Sequence, residues 1–243
     1  MDFLVIFILL ALLAEILGTV GGFGSSLLFV PIAGYFLDFH SVLGITAVFH
    51  VFSNISKIFF FRKGVKWGLV VYLGIPAVMF VVAGAILSNF VNSRDLELIL
   101  SVVLIVISLV FLLYRKIKLR PTRTNSILSG VLSGFIAGLV GTGGAIRGLA
   151  LSAFNLEKEI FIATSAIIDL GIDFSRGIVY YSNGFMHADD VYLIPILLGV
   201  SVVGTFIGKQ LLNAISETQF RFIVLLLVLM VGLFTLYRQL FLV

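Results

Sequence analysis

The chain has 243 residues, of which 60% are hydrophobic and 12% charged, and its mean hydropathy is +1.22. A soluble domain carries about a quarter charged residues, so the composition excludes a water-soluble globule and indicates an all-α integral membrane protein, multi-pass in the cell membrane. The net charge of +4 gives no nucleic-acid footprint, because the cations sit in short loops between apolar stretches. Cysteine is absent, which removes disulfides, thiolate metal ligands and cysteine nucleophiles together. Met1-Asp2 supplies no basic region ahead of the first apolar stretch, so no cleaved signal peptide is expected.

Apolar segments run at 3–17, 27–37, 41–61, 67–90, 96–114, 126–140, 148–154, 160–181, 190–212 and 220–238. Six of them (41–61, 67–90, 96–114, 160–181, 190–212 and 220–238) are expected to cross a hydrocarbon core of about 30 Å, which takes about 20 helical residues. The other four are short and fall in pairs around two glycine-rich breaks, each pair being either a re-entrant hairpin or two short tilted spans. The first break reads GTVGGFGSS (18–26) and the second GLVGTGGAIRG (138–148). Glycine costs about 1 kcal/mol against alanine in a helix interior. Irregular backbone at membrane depth persists only where protein or a water-filled cavity covers it. Two such breaks in corresponding halves point to the binding site of a secondary transporter.

The basic loops are Arg62-Lys63-Gly64-Val65-Lys66 and RKIKLRPTR (115–123), separated by two full spans, so both are expected in the cytoplasm. The Asn92-Ser93-Arg94-Asp95 loop and the cation-free His187-Ala188-Asp189-Asp190 turn then lie outside, as do both termini. On that topology 41–61 and 160–181 run in opposite directions. The expected organisation is a first membrane repeat at 1–114, a basic cytoplasmic linker at 115–125 and a second repeat at 126–243. Each repeat is a glycine-broken helical hairpin plus three transmembrane helices, and the two are inverted. With an offset of about 120, Gly18, Gly21, Gly24, Gly64 and Gly84 fall on Gly138, Gly141, Gly144, Gly184 and Gly204. Asp189 and Asp190 are expected to cap the following helix, and Trp67, Tyr180 and Tyr181 to serve as interfacial anchors.

The glycine break followed by a proline in GTVGGFGSSLLFVP (18–31), its recurrence after a basic linker, and the turn at Gly64 resemble the sulfite exporter TauE/SafE family. The resemblance covers essentially the whole chain. It implies a polytopic transporter with a duplicated half, associated with export or uptake of sulfite and small organosulfur or carboxylate anions. The second half departs from the pattern: Arg147 follows its break, and Leu151 stands where Pro31 would predict a proline.

Independently of any family, 41–61 carries His50, Asn54 and Lys57, and 160–181 carries Asp169, Asp173 and Arg176. Both sets follow i, i+4, i+7, which places three side chains within about 60° of one helix face. A charge at a helix centre costs about 2.5–3.5 kcal/mol on insertion scales, so these groups are expected in a protein interior. With Glu15 and Arg147 the set balances, three anions against three cations. One arrangement is then a closed ion-pair network, with Asp173 joining Arg176 and Lys57. The functional arrangement places an anion between the two breaks. Gly21, Gly22, Gly24, Ser25, Ser26, Gly141, Thr142, Gly143 and Gly144 would offer backbone amides, hydroxyls and half-helix N-termini. Asn54, Lys57, Arg147 and Arg176 would complete the site, Arg147 as a bidentate clamp, and Glu15, His50, Asp169 and Asp173 are the candidate proton carriers.

The expected function is secondary transport of a small organic or sulfur oxyanion of sulfite, sulfonate or carboxylate type. It is proton-coupled and proceeds by alternating access around a midplane site. The partners are the anion, protons and the lipid bilayer. No cofactor and no enzymatic activity are expected, and His40, His50 and His187 are too scattered for a metal site. An anion channel and an intramembrane serine hydrolase built on Ser25 and His50 are the rival readings.

Overall fold

The computed structural model describes residues 2–22, 24–113, 119–212 and 217–241. Phe23 of the first break and residues 115–118 of the basic linker lie outside the described residues. The first five helices are α1 (Asp2–Gly21), α2 (Ser26–Ala33), α3 (Phe39–Phe60), α4 (Trp67–Ser88) and α5 (Ser93–Leu113). The next five are α6 (Arg123–Val140), α7 (Gly144–Ser152), α8 (Lys158–Ser182), α9 (Leu193–Leu211) and α10 (Glu217–Phe241). The order long, short, long, long, long is read twice. A π-helical turn at Val70–Gly74 precedes Pro76, whose missing N–H leaves the ladder of α4 free to widen there.

Among the described residues, six helices are long and apolar enough to cross a membrane: those of Leu4–Gly21, α3, α4, α5, α9 and Val224–Phe241. They are not the expected six. The segment expected as a short one at 3–17 extends to Gly21 and gives a 20-residue helix. The segment at 160–181 forms α8, 25 residues long, but its central charges keep it out of the apolar set. Asp189 and Asp190 do not cap α9. They lie in a short 3-10 turn at Ala188–Asp190, and the residue before α9 is Tyr192, with no side-chain cap.

The helices that pack together map onto one another when each is replaced by its counterpart five places on. α1 lies on α9 as α6 lies on α4, and α3 lies on α9 as α8 lies on α4. The pairs α3–α8 and α5–α10 map onto themselves. α3 and α8 run antiparallel. Ser41 meets His187 at 2.7 Å at one end, Asn54 meets Asp173 at 2.7 Å in the middle, and Lys63 meets Glu159 at 3.2 Å at the other.

The contacts of the short segments show which way each of them runs. Phe7 on α1 lies 5.9 Å from Phe29 on α2 and 5.3 Å from Phe36 beyond it, so α2 doubles back along α1. Ala150 and Leu151 of α7 pack with Leu69, Leu73 and Leu119, beside the start of α6. Each pair is a hairpin returning to its own end of the bundle, and the hairpin tips touch where Thr142 Oγ1 donates to Ser26 Oγ at 3.1 Å. The tips need glycine for two reasons. Gly22, Gly24 and Gly141 have φ of +69°, +81° and +81°, a region that L side chains avoid. A Cβ on Gly143 would lie 2.0 Å from the Ser133 carbonyl oxygen.

The framework around the tips is a tight helix pair. A Cβ on Gly134 or Gly138 of α6 would sit 2.1 Å from the carbonyl oxygen of Ala77 or Val81 on α4, so the two backbones touch directly. In lipid, where no hydrophobic force drives helices together, such small-residue seams provide the packing. α3 is the central helix, 67% buried against at most 39% for the other five apolar spans. Its polar face therefore looks into protein.

Candidate functional site

A cavity of about 20 Å³, room for one water-sized molecule, lies where the hairpin tips meet α3 and α8. The starts of both short helices line it, through Gly24, Ser25 and Ser26 before α2 and Gly141, Gly143 and Gly144 before α7. So do His50, Asn54, Lys57, Arg147, Asp169, Asp173 and Arg176. Of the residues singled out in the sequence, only Glu15, Gly21, Gly22 and Thr142 do not line it. Gly22 lines an adjoining cavity between the end of α1 and the first half of α8, which shares Gly24, Lys57 and Asp169 with the first. Thr142 braces Ser26, and Gly21 ends α1.

The six charges pair one to one. Lys57 Nζ lies 3.0 Å from Glu15, Arg147 Nη1 lies 2.5 Å from Asp169, and Arg176 Nη2 lies 2.7 Å from Asp173. The expected link between Lys57 and Asp173 does not form. Lys57 turns instead to α1, because Glu15 reaches it there, while Asp173 takes the Asn54 amide at 2.7 Å. Arg147 does not snorkel; it is 3% exposed and held by Asp169 and Ser165.

Glu15 is 0% exposed, and its environment is unlike that of the two aspartates. Its carboxylate accepts from Thr19 (3.2 Å), Ser25 (2.6 Å), Ser53 (2.6 Å) and Thr205 (3.0 Å) in addition to Lys57. This carboxylate ties α1, the first break, α3 and α9 together. Asp169 has two partners, Arg147 and Ser165 at 3.2 Å, and faces both cavities. Arg176, 1% exposed, donates through Nη1 to the Ala137 carbonyl at 3.1 Å and through Nη2 to His50 Nδ1 at 3.3 Å. Its Nε–H has no partner among the described residues. A buried unpaired guanidinium N–H calls for a water or an anion.

The sequence that builds this site has counterparts among known proteins. The sulfite exporter TauE/SafE family matches residues 7–235. The chain belongs to this family. A curated relative, a probable membrane transporter protein of Methanocaldococcus jannaschii, is 26% identical over 255 aligned residues, covering 94% of each chain. No solved structure matches. The protein is accordingly a multi-pass membrane transporter of the TauE/SafE family.

Several polar residues around the site of this TauE/SafE protein were not singled out in the sequence. Ser53 lies on the same α3 face as His50 and Lys57, so its position was available from helical spacing. Thr205 lies on α9, far along the chain, and only packing brings it to Glu15. Neighbouring Gly204 makes room, since a Cβ there would meet the Glu15 side chain at 2.8 Å. Tyr180, expected as an interfacial anchor, is fully buried and donates to the Gly138 carbonyl at 2.6 Å, satisfying the end of α6. Trp67 and Tyr181 are exposed at helix ends.

Proposed function

We propose that the protein is a secondary carrier of a small organic or sulfur oxyanion, coupled to protons, working by alternating access between two inverted repeats. One observation carries the proposal: both short-helix N-termini and all three buried cations line a single cavity, and one of those cations, Arg176, keeps an Nε–H with no partner among the described residues. Two helix N-termini each contribute partial positive charge, and their first amides have no helical acceptor. The inverted arrangement is supported by the exchange of helix contacts between halves and by the antiparallel course of α3 and α8.

In this closed state the site is filled by its own carboxylates. A cavity of about 20 Å³ is too small for a sulfite, sulfonate or carboxylate. An incoming oxyanion takes the place of Asp169 on Arg147 and meets the free Nε–H of Arg176. Asp169, and Asp173 beside it, leave the cations by taking up protons, which keeps the buried charge balanced. Proton uptake and anion binding are then one exchange.

Hydrogen-bond direction weighs against the hydrolase reading. Ser25 and His50 are in contact at 3.1 Å, but the Ser25 hydroxyl donates to Glu15, and Arg176 occupies the other ring nitrogen of His50. His50 is therefore not placed to take the serine proton. Ser25→Ala is expected to reduce transport without abolishing it, whereas a hydrolase would be inactivated. An anion channel is separated by kinetics, since a carrier saturates and a channel current does not.

The test is uptake of sulfite, sulfonates and small carboxylates into proteoliposomes, with and without a pH gradient. Saturable uptake stimulated by the gradient, and loss of the proton dependence on converting both Asp169 and Asp173 to Asn, are expected. Transport that stays fully proton-dependent in that double variant overturns the coupling scheme. Absence of uptake for every oxyanion tested overturns the substrate class.

A further inference from the structure

His50 sits between the two charge centres of the site. Its Nδ1 is 3.3 Å from Arg176 Nη2, and its Nε2 is 3.1 Å from Ser25 Oγ. A guanidinium has donors and no acceptor, so Nδ1 must present a lone pair. The ring proton then resides on Nε2 and is donated to Ser25. Ser25 Oγ can accept it, because its own hydrogen goes to Glu15 Oε2 at 2.6 Å. Asp173 Oδ1 lies 3.9 Å from Nδ1, beyond hydrogen-bond reach, as two lone-pair atoms require. The donors form one directed chain from Arg176 through His50 and Ser25 that ends at the Glu15 carboxylate, which also takes the Lys57 ammonium at 3.0 Å.

The two ends of the chain have different tasks. Arg176 lines the cavity and carries an Nε–H with no partner among the described residues, and Glu15 gathers α1, α3, α9 and the first break around one carboxylate. His50 is the only described residue whose side chain bonds to both Arg176 and Ser25. The charged groups around it are Arg176, Asp173 and Arg147 from α8 and α7, Lys57 on its own helix, and Glu15 from α1 through Ser25.

We infer that His50 is a positioning residue that couples occupancy of the anion site to release of the Glu15 anchor, acting as a neutral Nε2–H bridge and not as carrier of the transported proton. An anion on Arg176 draws Nη2 away from Nδ1. The imidazole loses its donor, Ser25 loses its donor in turn, and the first hairpin tip is freed to move. The inference rests on the proposed carrier function for its mechanism. The tautomer on which it stands is independent of any substrate.

Two measurements test it. The first is nitrogen NMR of protein labelled with 15N-histidine and reconstituted in lipid at neutral pH. The chain has three histidines, and His50→Gln assigns the signal of interest. A neutral ring protonated on Nε2 is expected; a doubly protonated ring or an Nδ1–H tautomer overturns the inference even if no substrate is known. The second compares anion binding with turnover in proteoliposomes. His50→Ala leaves both arginines in place, so anion affinity is expected within about threefold of wild type while turnover falls by more than about tenfold. In His50→Gln the amide oxygen accepts from Arg176 and the amide N–H donates to Ser25, so turnover is expected to recover to within about fivefold with the same pH profile. Glutamine cannot titrate. A His50→Gln protein that binds anion but has lost its proton dependence makes His50 the proton carrier and overturns the inference. Wild-type turnover in His50→Ala overturns it as well. Failure of the wild-type protein to bind any oxyanion refutes the carrier function instead, and leaves the tautomer measurement to decide the bridge.

Discussion

Replacing Asp169 by Asn should destabilise the empty protein and strengthen its hold on anions at the same time. The Arg147–Asp169 contact is 2.5 Å, and the arginine is 3% exposed. Charge centres about 4 Å apart at an effective dielectric of about 20 attract by about 4 kcal/mol. Removing one partner of a buried pair costs about 3–5 kcal/mol, because the survivor is left charged and unpaired. The two figures agree, and at about 1.4 kcal/mol per decade they correspond to a roughly thousandfold ceiling on the gain in anion affinity. Asparagine is nearly isosteric, so packing does not confuse the comparison.

The assay is thermal unfolding of purified Asp169→Asn and wild-type protein, with sulfate, methanesulfonate or acetate added. Without anion the variant should unfold at lower temperature. An anion at about a hundred times its dissociation constant returns about 2.7 kcal/mol, so the variant should recover far more than the wild type does. Chloride at matched ionic strength controls for screening. The paired variant Arg147→Met with Asp169→Leu removes both charges and should be near neutral or more stable, with no anion response. Refutation is a variant that unfolds with the wild type and gains no more from anions than the wild type gains. Arg147 would then be satisfied without Asp169, and the carboxylate would not be holding the place of a substrate.

Glu15→Gln should cost a similar 3–5 kcal/mol by stranding Lys57, but added anions should not rescue it, because four hydroxyls fill the space around that carboxylate; equal rescue of both variants refutes the distinction. Gly138→Ala should lower the unfolding midpoint by the equivalent of about 1–3 kcal/mol, since its Cβ would lie 2.1 Å from the Val81 carbonyl oxygen. Gly199→Ala, with open space at its Cβ, should be neutral or slightly stabilising; equal loss in both refutes the close α4–α6 seam. Single cysteines at Lys63 and Ala188 should be labelled by membrane-impermeant reagents from opposite faces, and labelling from one face refutes the inverted topology. Lys63 is the better position than Gly64, whose φ of +134° strains any side chain.

What the sequence revealed was periodic or local. The glycine breaks announced the hairpin tips because positive φ at Gly22 and Gly141, and contact with the Ser133 backbone at Gly143, favour glycine there. The i, i+4, i+7 spacing put His50, Asn54 and Lys57 on one face, and α3 does turn that face inward. Pairing was not legible. Lys57 was as well placed in sequence to meet Asp173 as Glu15, and the choice is made by α1 and α3 both packing on α9, which brings Glu15, with Thr205 donating to it, to Lys57. Helix length misled at α1, where Gly18 and Gly21 look like helix breakers but are the last turns of the helix. At α8 length was the better guide than charge: 160–181 reads as a full span and forms a 25-residue helix despite the charges at its centre. Tyr180 shows a further limit: its place near a span end suggests the interface, while packing against α6 buries it.

Under the proposed carrier function, the charge arithmetic of the site predicts the stoichiometry of transport. Empty, the three cations and three anions cancel, with His50 neutral through its contact with Arg176. A monoanion entering without a proton would leave one uncompensated negative charge near the bilayer centre, at about 2.5–3.5 kcal/mol on insertion scales. That slows reorientation of the loaded carrier by about two decades. One proton on Asp169 restores neutrality, and a dianion needs a second, for which Asp173 lines the same cavity. Glu15 is unsuited to the task, because five donors converge on its carboxylate. Transport should therefore be electroneutral, with proton number equal to substrate charge. In proteoliposomes, a valinomycin-imposed potassium potential should leave the uptake rate unchanged while a pH gradient alters it. A rate that follows the potential refutes the balance, and would mean that the anion moves on the arginines alone while the aspartates stay charged.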